Sequence, residues 1–265
     1  MENQESSDWQ ARHPPEIIKR EEPQMSEAST LGNIFFEPGN TFEDLRRKPR
    51  FVLAMLVICI LSTVYAFGLY YKIGDAGVRQ WATEQMDKNP AVGSLTSEQK
   101  SDAVNRQMTI TKIARYLWPL IIAIILFIGG LLYWAASKAF GGSGGFLHAV
   151  SVFVYSSLPP TVVAMIANFI VLAFKSVDDL DFGASQRGVL HASPAMLLDG
   201  KAYPVLATVV GTLDLFMIWG WVLAAIGLRI TNKISSASAW TIVLIFALIG
   251  ILFRVLGAFF SGNPA

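Results

Sequence analysis

Charge is scarce in this chain. Of its 265 residues only 15% are Asp, Glu, Lys or Arg, where a soluble domain carries about 25%. Much of that charge sits before residue 51, so the remainder is more apolar still. This excludes a soluble enzyme, a disordered protein and a secreted disulfide scaffold. Cysteine is almost absent: Cys59 stands alone inside an apolar run, so there is neither an internal disulfide nor a cysteine metal cluster. The three histidines, His13, His148 and His191, are too scattered for a zinc site. A net charge of +1 gives no field that would recruit nucleic acid. No Walker motif, dinucleotide fingerprint or internal repeat occurs, and no cofactor is expected. What remains is 53% hydrophobic residues and a mean hydropathy of +0.45, the composition of an integral membrane protein.

Residues 1–50 are hydrophilic, and no cleavable signal peptide is expected before the first apolar run. Residues 1–28, rich in Glu, Ser, Gln and Pro, read as a disordered tail. Leu31, Ile34, Phe35 and Phe36 then cluster before a Pro38-Gly39 turn. Asn40 with Glu43 has the spacing of a capping box, so Thr41 to Arg47 is expected to make two helical turns, stopped by Pro49. These short amphipathic pieces end in Arg46, Arg47, Lys48 and Arg50. They are expected to lie on the membrane surface with that basic cluster among lipid headgroups.

A spanning helix needs about 20 mostly apolar residues. Five runs qualify: 51–71, 118–139, 147–174, 203–228 and 239–260, followed by a short tail, 261–265. Tyr70, Tyr71, Trp118, Trp134, Tyr203 and Trp240 lie near run ends, where amphipathic rings favour the interface. The expected fold is therefore an all-α polytopic membrane protein, a five-helix bundle with short N-terminal surface helices. Four cations just before Phe51 place the N-terminus in the cytoplasm and the C-terminus outside. The long connections 72–114 and 176–202 then fall outside, and the glycine-rich hinge 141–145 inside.

The order of several short motifs carries a resemblance. Leu31, Phe36-Glu37-Pro38, Thr41-Phe42, Leu45 and Pro49 precede the first span. After the hinge come Phe146, His148-Ala149, Tyr155-Ser156 and Leu158-Pro159. The fourth span carries Asp214-Leu215-Phe216, Ile218-Trp219, Leu223 and Gly227-Leu228. Over roughly residues 29–260 the chain resembles bacterial members of the Yip domain family (the Ypt-interacting-protein type). That resemblance implies a five-helix membrane domain with a cytosolic N-terminus. Eukaryotic members bind small GTPases of the Rab type and associate with one another. This chain lacks their Asp-Leu-Tyr-Gly-Pro motif, and GTPase binding is not carried over to it.

Among individual residues, Asp214 lies about eleven residues into the fourth span, where a carboxylate costs several kcal/mol unless neutralised or paired. Arg254, in the antiparallel fifth span, is at a depth that permits an Asp214–Arg254 ion pair, as a structural clamp or as a relay. Pro159 and Pro160 are expected to kink the third span and free carbonyls near Tyr155 and Ser156, with Ser157, Thr161 or Asn168 as partners. Asp178, Asp179 and Asp181 read as a solvated acidic loop. His148 and Ser151 share a helix face but have no third member, so no catalytic set emerges. The functional expectation is a non-enzymatic scaffold whose partners are the lipid bilayer and either a second copy or another membrane protein. The alternative is a small transporter or channel subunit using the Pro-kinked span and Asp214.

Overall fold

The computed structural model describes residues 22–87, 95–186, 188–190, 192–198, 200 and 202–261. Most of the expected tail, with His13, and also His191 and the last four residues lie outside the described residues. All regular structure among the described residues is helical. Two short helices open the chain, α1 (Glu27–Asn33) and α2 (Pro38–Arg47). Three long ones follow: α3 (Val52–Asp87), α4 (Ser97–Ala139) and α5 (Phe146–Phe174). A single turn, α6 (Phe182–Ser185), and a 3-10 turn, Pro194–Leu197, lie in the next connection. The chain ends in α7 (Pro204–Gly211), α8 (Leu215–Thr231) and α9 (Ser236–Ser261). By length and composition, four helices can cross a bilayer, or five if α7 and α8, bent by 44° at the break between them, make one span.

Two local expectations, the start of α2 and the extent of the first two spans, are revised. The helix expected to start near Asn40 starts at Pro38, because proline suits the first helical position. The Asn40 amide donates to Glu37 (2.8 Å), and Glu43 pairs with Arg46 (2.6 Å) instead of closing a capping box. The first two spans run well past their apolar ends. At about 1.5 Å per residue, α4 reaches ~65 Å, and α3 continues beyond a break at Gly74 to Asp87, so residues 72–87 and 97–114 of the expected connection are largely helical. A capping box of Thr96 and Gln99 starts α4. Finally, α5 runs through Pro159 and Pro160 as one helix. Ser156 and Ser157 both donate to the carbonyl of Phe153, at 3.0 and 2.8 Å. Neither serves the carbonyls that the prolines free. Gly220 of α8 passes close to Ser156 O and Pro160, so the proline turn is packed against a neighbouring backbone.

The helices are staggered. Phe51, just before α3, packs edge-on against Phe127, whose ring centroid is 5.5 Å away. Phe127 lies twelve residues short of the end of α4. At about 1.5 Å per residue, α3 thus begins ~18 Å in from that end of the bundle. At that end α2 packs against α8 and α5, with α1 beside it. Ile34, Phe42 and Leu45 are fully buried and belong to one core with Ala54, Tyr155 and Leu228. A second, smaller core of Tyr65, Leu69, Val78, Leu172 and Phe182 holds the opposite end.

The helices α4 and α5 approach closely. A Cβ on Gly130 would lie 2.7 Å from the Cα of Val150, and one on Gly129 would enter the Phe153 ring. The backbone at Val150 cannot rotate away, so Gly130→Ala is expected to cost about 1–3 kcal/mol through overpacking. Gly250→Ala, with open space around it, serves as the control. Thermal denaturation in detergent distinguishes the two.

Candidate functional site: a buried charge pair under the N-terminal segment

In α2, an apolar face formed by Thr41, Phe42 and Leu45 turns into the bundle, and it carries Asp44 with it. The Phe42 ring lies between α5 and α8, where it leaves no room for a Cβ on Gly227. Its carbonyl accepts from Thr231 Oγ1 (3.4 Å). Phe35 reaches the ring of Trp219, the fifth residue of α8 (6.2 Å, edge-on). The N-terminal segment is thus a wedge inserted beside α5 and α8. The two helices are short and amphipathic, as expected, but their apolar faces meet protein and not lipid. Phe36, 85% exposed, is the exception.

Asp44 is 2% exposed and a salt bridge joins it to Arg50. Its Oδ1 also accepts from the amides of Gln24 and Met25. Arg50 donates further to the Met25 carbonyl (2.8 Å) and to Thr30 Oγ1 (3.0 Å). One buried pair therefore ties the segment before α1, α1 itself, α2 and the entry to α3. Tyr155, the tenth residue of α5, belongs to the same buried core as Phe42 and Leu45. A cavity of about 250 Å³ lined by Gln24, Met25, Asn40, Glu43, Asp44 and Arg47 opens on the pair. The Arg46 guanidinium beside Glu43 holds that carboxyl below its ordinary range.

Of the four cations expected at lipid headgroups, Arg50 is turned inward and Arg46 is engaged by Glu43. The Arg46 carbonyl lies 3.1 Å from His148 Nε2. Lys48 is exposed and Arg47 partly so.

The other polar side chains singled out in the spans gather at the opposite end. Asp214 caps α8: its Oδ1 accepts from the amides of Phe216 (2.9 Å) and Met217 (3.2 Å). Its Oδ2 accepts from Ala192 N (2.9 Å). Asn168, 2% exposed, accepts from Leu190 N and donates to Ala164 O, both at 2.8 Å. These two side chains hold Leu190 and Ala192 against the bundle. Gly188 has a φ of 125°, and a Cβ there would meet the Asn168 amide at 3.0 Å.

Arg254 directs Nη1 to the sulfur of Met217 (3.5 Å). No Asp214–Arg254 salt bridge occurs among the contacts of the described residues. The break between α7 and α8 explains this: an interrupted span exposes backbone amides that must be satisfied internally, and the carboxylate serves them. Asp214→Asn and Arg254→Gln are accordingly expected to give additive losses, with a coupling within about 0.5 kcal/mol. Asp214→Ala is expected to lose about 1–2 kcal/mol as a helix cap. A double-mutant cycle of detergent melting curves checks both.

Asp181 caps α6 through Ala184 N (2.9 Å), and Asp179 accepts from Ser176. Among the described residues no group of three or more His, Cys, Asp or Glu is placed to hold a metal ion.

A multi-span helical membrane protein with a bent α7–α8 pair and an N-terminal wedge is thereby defined. The Yip1 domain model matches residues 32–258, and the chain belongs to that family. It is also 27% identical over 248 residues to the membrane protein YknW of Bacillus subtilis (strain 168), covering 92% of this chain and 95% of that one. No solved structure matches it. The matched region begins inside α1, so all of α2 lies within the family domain.

Asp44 is a buried charge that the sequence analysis does not single out. The signal was present: a carboxylate on the same face as Thr41, Phe42 and Leu45, six residues before an arginine.

Proposed function

We propose that the protein is a non-enzymatic membrane scaffold of the cell's inner (plasma) membrane, with its N-terminus in the cytoplasm. It organises the membrane or holds a membrane-protein partner. The observation that carries this reading is how the deep polar groups are used. Asp44, Arg50, Asn168 and Asp214 are all occupied by chain segments that they tie together. That is the use expected of a fixed framework, since a transport site needs polar groups available to its cargo. The exposed edge of the wedge, with Asn40, Glu43 and Arg47 around the 250 Å³ cavity, is the surface assigned to the partner.

The test is capture of the full chain from detergent-solubilised membranes, followed by mass spectrometry, alongside flux measurements in proteoliposomes. A stoichiometric membrane-protein partner that is lost on Glu43→Lys, with tight proteoliposomes, is the expected result. Saturable flux abolished by Asp214→Asn, with no partner captured, would overturn it.

A further inference from the structure

At the end of the bundle opposite the wedge, α3 and α4 leave an open cleft of about 440 Å³ between them. Tyr70, Asp75, Arg79, Thr109 and Lys112 line it. Its position follows from Gly74, which breaks α3 with φ 73° and ψ 173°. That combination is open to glycine alone. A Cβ there would meet nothing within 4 Å, so the backbone conformation and not the space requires the glycine.

The cleft lies where the apolar surface gives out. Below it, α4 exposes Ile113, Leu117, Leu120 and Ile124, and α3 exposes Tyr71. Such a stripe faces acyl chains, and the rim above it is at headgroup level.

Charge around the cleft is unbalanced. Lys112 is exposed and has no ion pair among the described residues. Arg79 donates to the neutral Asn105 (3.0 Å). One turn beyond Lys112, the Arg115 guanidinium stacks on Tyr70, 3.3 Å from the ring centroid, with Phe67 and Tyr116 at 5.3 and 5.6 Å. Its Nε and Nη1 are shut off from solvent with no hydrogen-bond partner among the described residues. Two cations therefore line the cleft, with a third stacked on its Tyr70 wall, against one lining carboxylate, Asp75, which already accepts from the Tyr70 hydroxyl. A partly desolvated guanidinium without a counter-ion is costly, and an anion in the cleft relieves it.

We propose that this cleft binds the phosphate of an anionic phospholipid headgroup, held by Lys112 and Arg79 in the field of the aromatic-boxed Arg115. The acyl chains lie along the exposed stripe of α4. Cationic groups hold phosphate through charge-assisted hydrogen bonds, and the adjoining apolar surface selects a lipid over a free phosphate.

Detergent-purified full-length protein, titrated with phosphatidylglycerol and read by native mass spectrometry and thermal shift, tests this. Phosphatidylglycerol should bind about tenfold more tightly than phosphatidylcholine, a difference of about 1.4 kcal/mol. Lys112→Gln, at an exposed position that folding does not depend on, should remove most of that preference, and Arg115→Gln likewise. Asp75→Asn should strengthen binding, an effect of opposite sign that misfolding cannot produce. Lys48→Gln, at the other end of the bundle, should change nothing. Unaltered binding in Lys112→Gln/Arg79→Gln, or weaker binding in Asp75→Asn, would overturn the site. Full displacement of the lipid by millimolar inorganic phosphate would overturn the lipid assignment.

Discussion

Asp44→Ala is expected to lower stability by about 3–5 kcal/mol, the cost of breaking a buried ion pair from one side. Three donors lose their acceptor together: the Arg50 guanidinium and the amides of Gln24 and Met25. Arg50→Gln should lose a comparable amount, because it strands the Asp44 carboxylate at 2% exposure. Removing both charges with apolar side chains of similar volume, Asp44→Leu with Arg50→Met, should recover much of the loss. Unfolding in mixed micelles gives the cycle, and the coupling should exceed about 1 kcal/mol for groups in direct contact. Additive losses would mean that the two side chains do not act as a pair.

Phe42→Ala should cost about as much, roughly 3–5 kcal/mol for emptying a packed aromatic site. Its ring is fully buried. The neighbouring backbone belongs to two spanning helices that a local collapse cannot bring together. Gly227→Ala offers the converse test. The new methyl would stand 2.8 Å from Phe42 Cε1 and 2.8 Å from Val152 Cγ1, an overpacking of about 1–3 kcal/mol. In Phe42→Ala/Gly227→Ala the methyl enters the space that the ring has left, so the double variant should be more stable than the sum of the single losses. Melting temperatures of the four proteins in one detergent supply the comparison.

The spans were legible because lipid imposes a length and a composition on them. The runs 118–139, 147–174 and 239–260 each fall within a single helix. The hairpin extension was less legible. Residues 72–87 and 97–114 are polar enough to read as connection, yet the Thr96–Gln99 capping box marked the start of α4 in plain sequence. The break at 212–214 was hidden because Leu213 and Thr212 do not interrupt an apolar run. Only Asp214 signalled it, and the same residue reads equally well as one half of an ion pair. A carboxylate inside a span has two remedies, a cation or free backbone amides, and sequence spacing finds only the first.

The depth of the N-terminal segment was the hardest feature to read. An amphipathic helix ending in arginines has the same pattern whether its apolar face meets lipid or protein. The stagger of α3 against α4 decides between them, and that stagger depends on packing between residues as distant as Phe51 and Phe127.

Hydrogen exchange of the full chain in nanodiscs, with and without anionic lipid, is the most direct test of the wedge. The amides of α2 should exchange within about tenfold of those at the start of α5, since both belong to one core. Their protection should not depend on lipid charge. Exchange of α2 within seconds, or protection that appears only with anionic lipid, would place the segment on the membrane surface and contradict its insertion in the bundle.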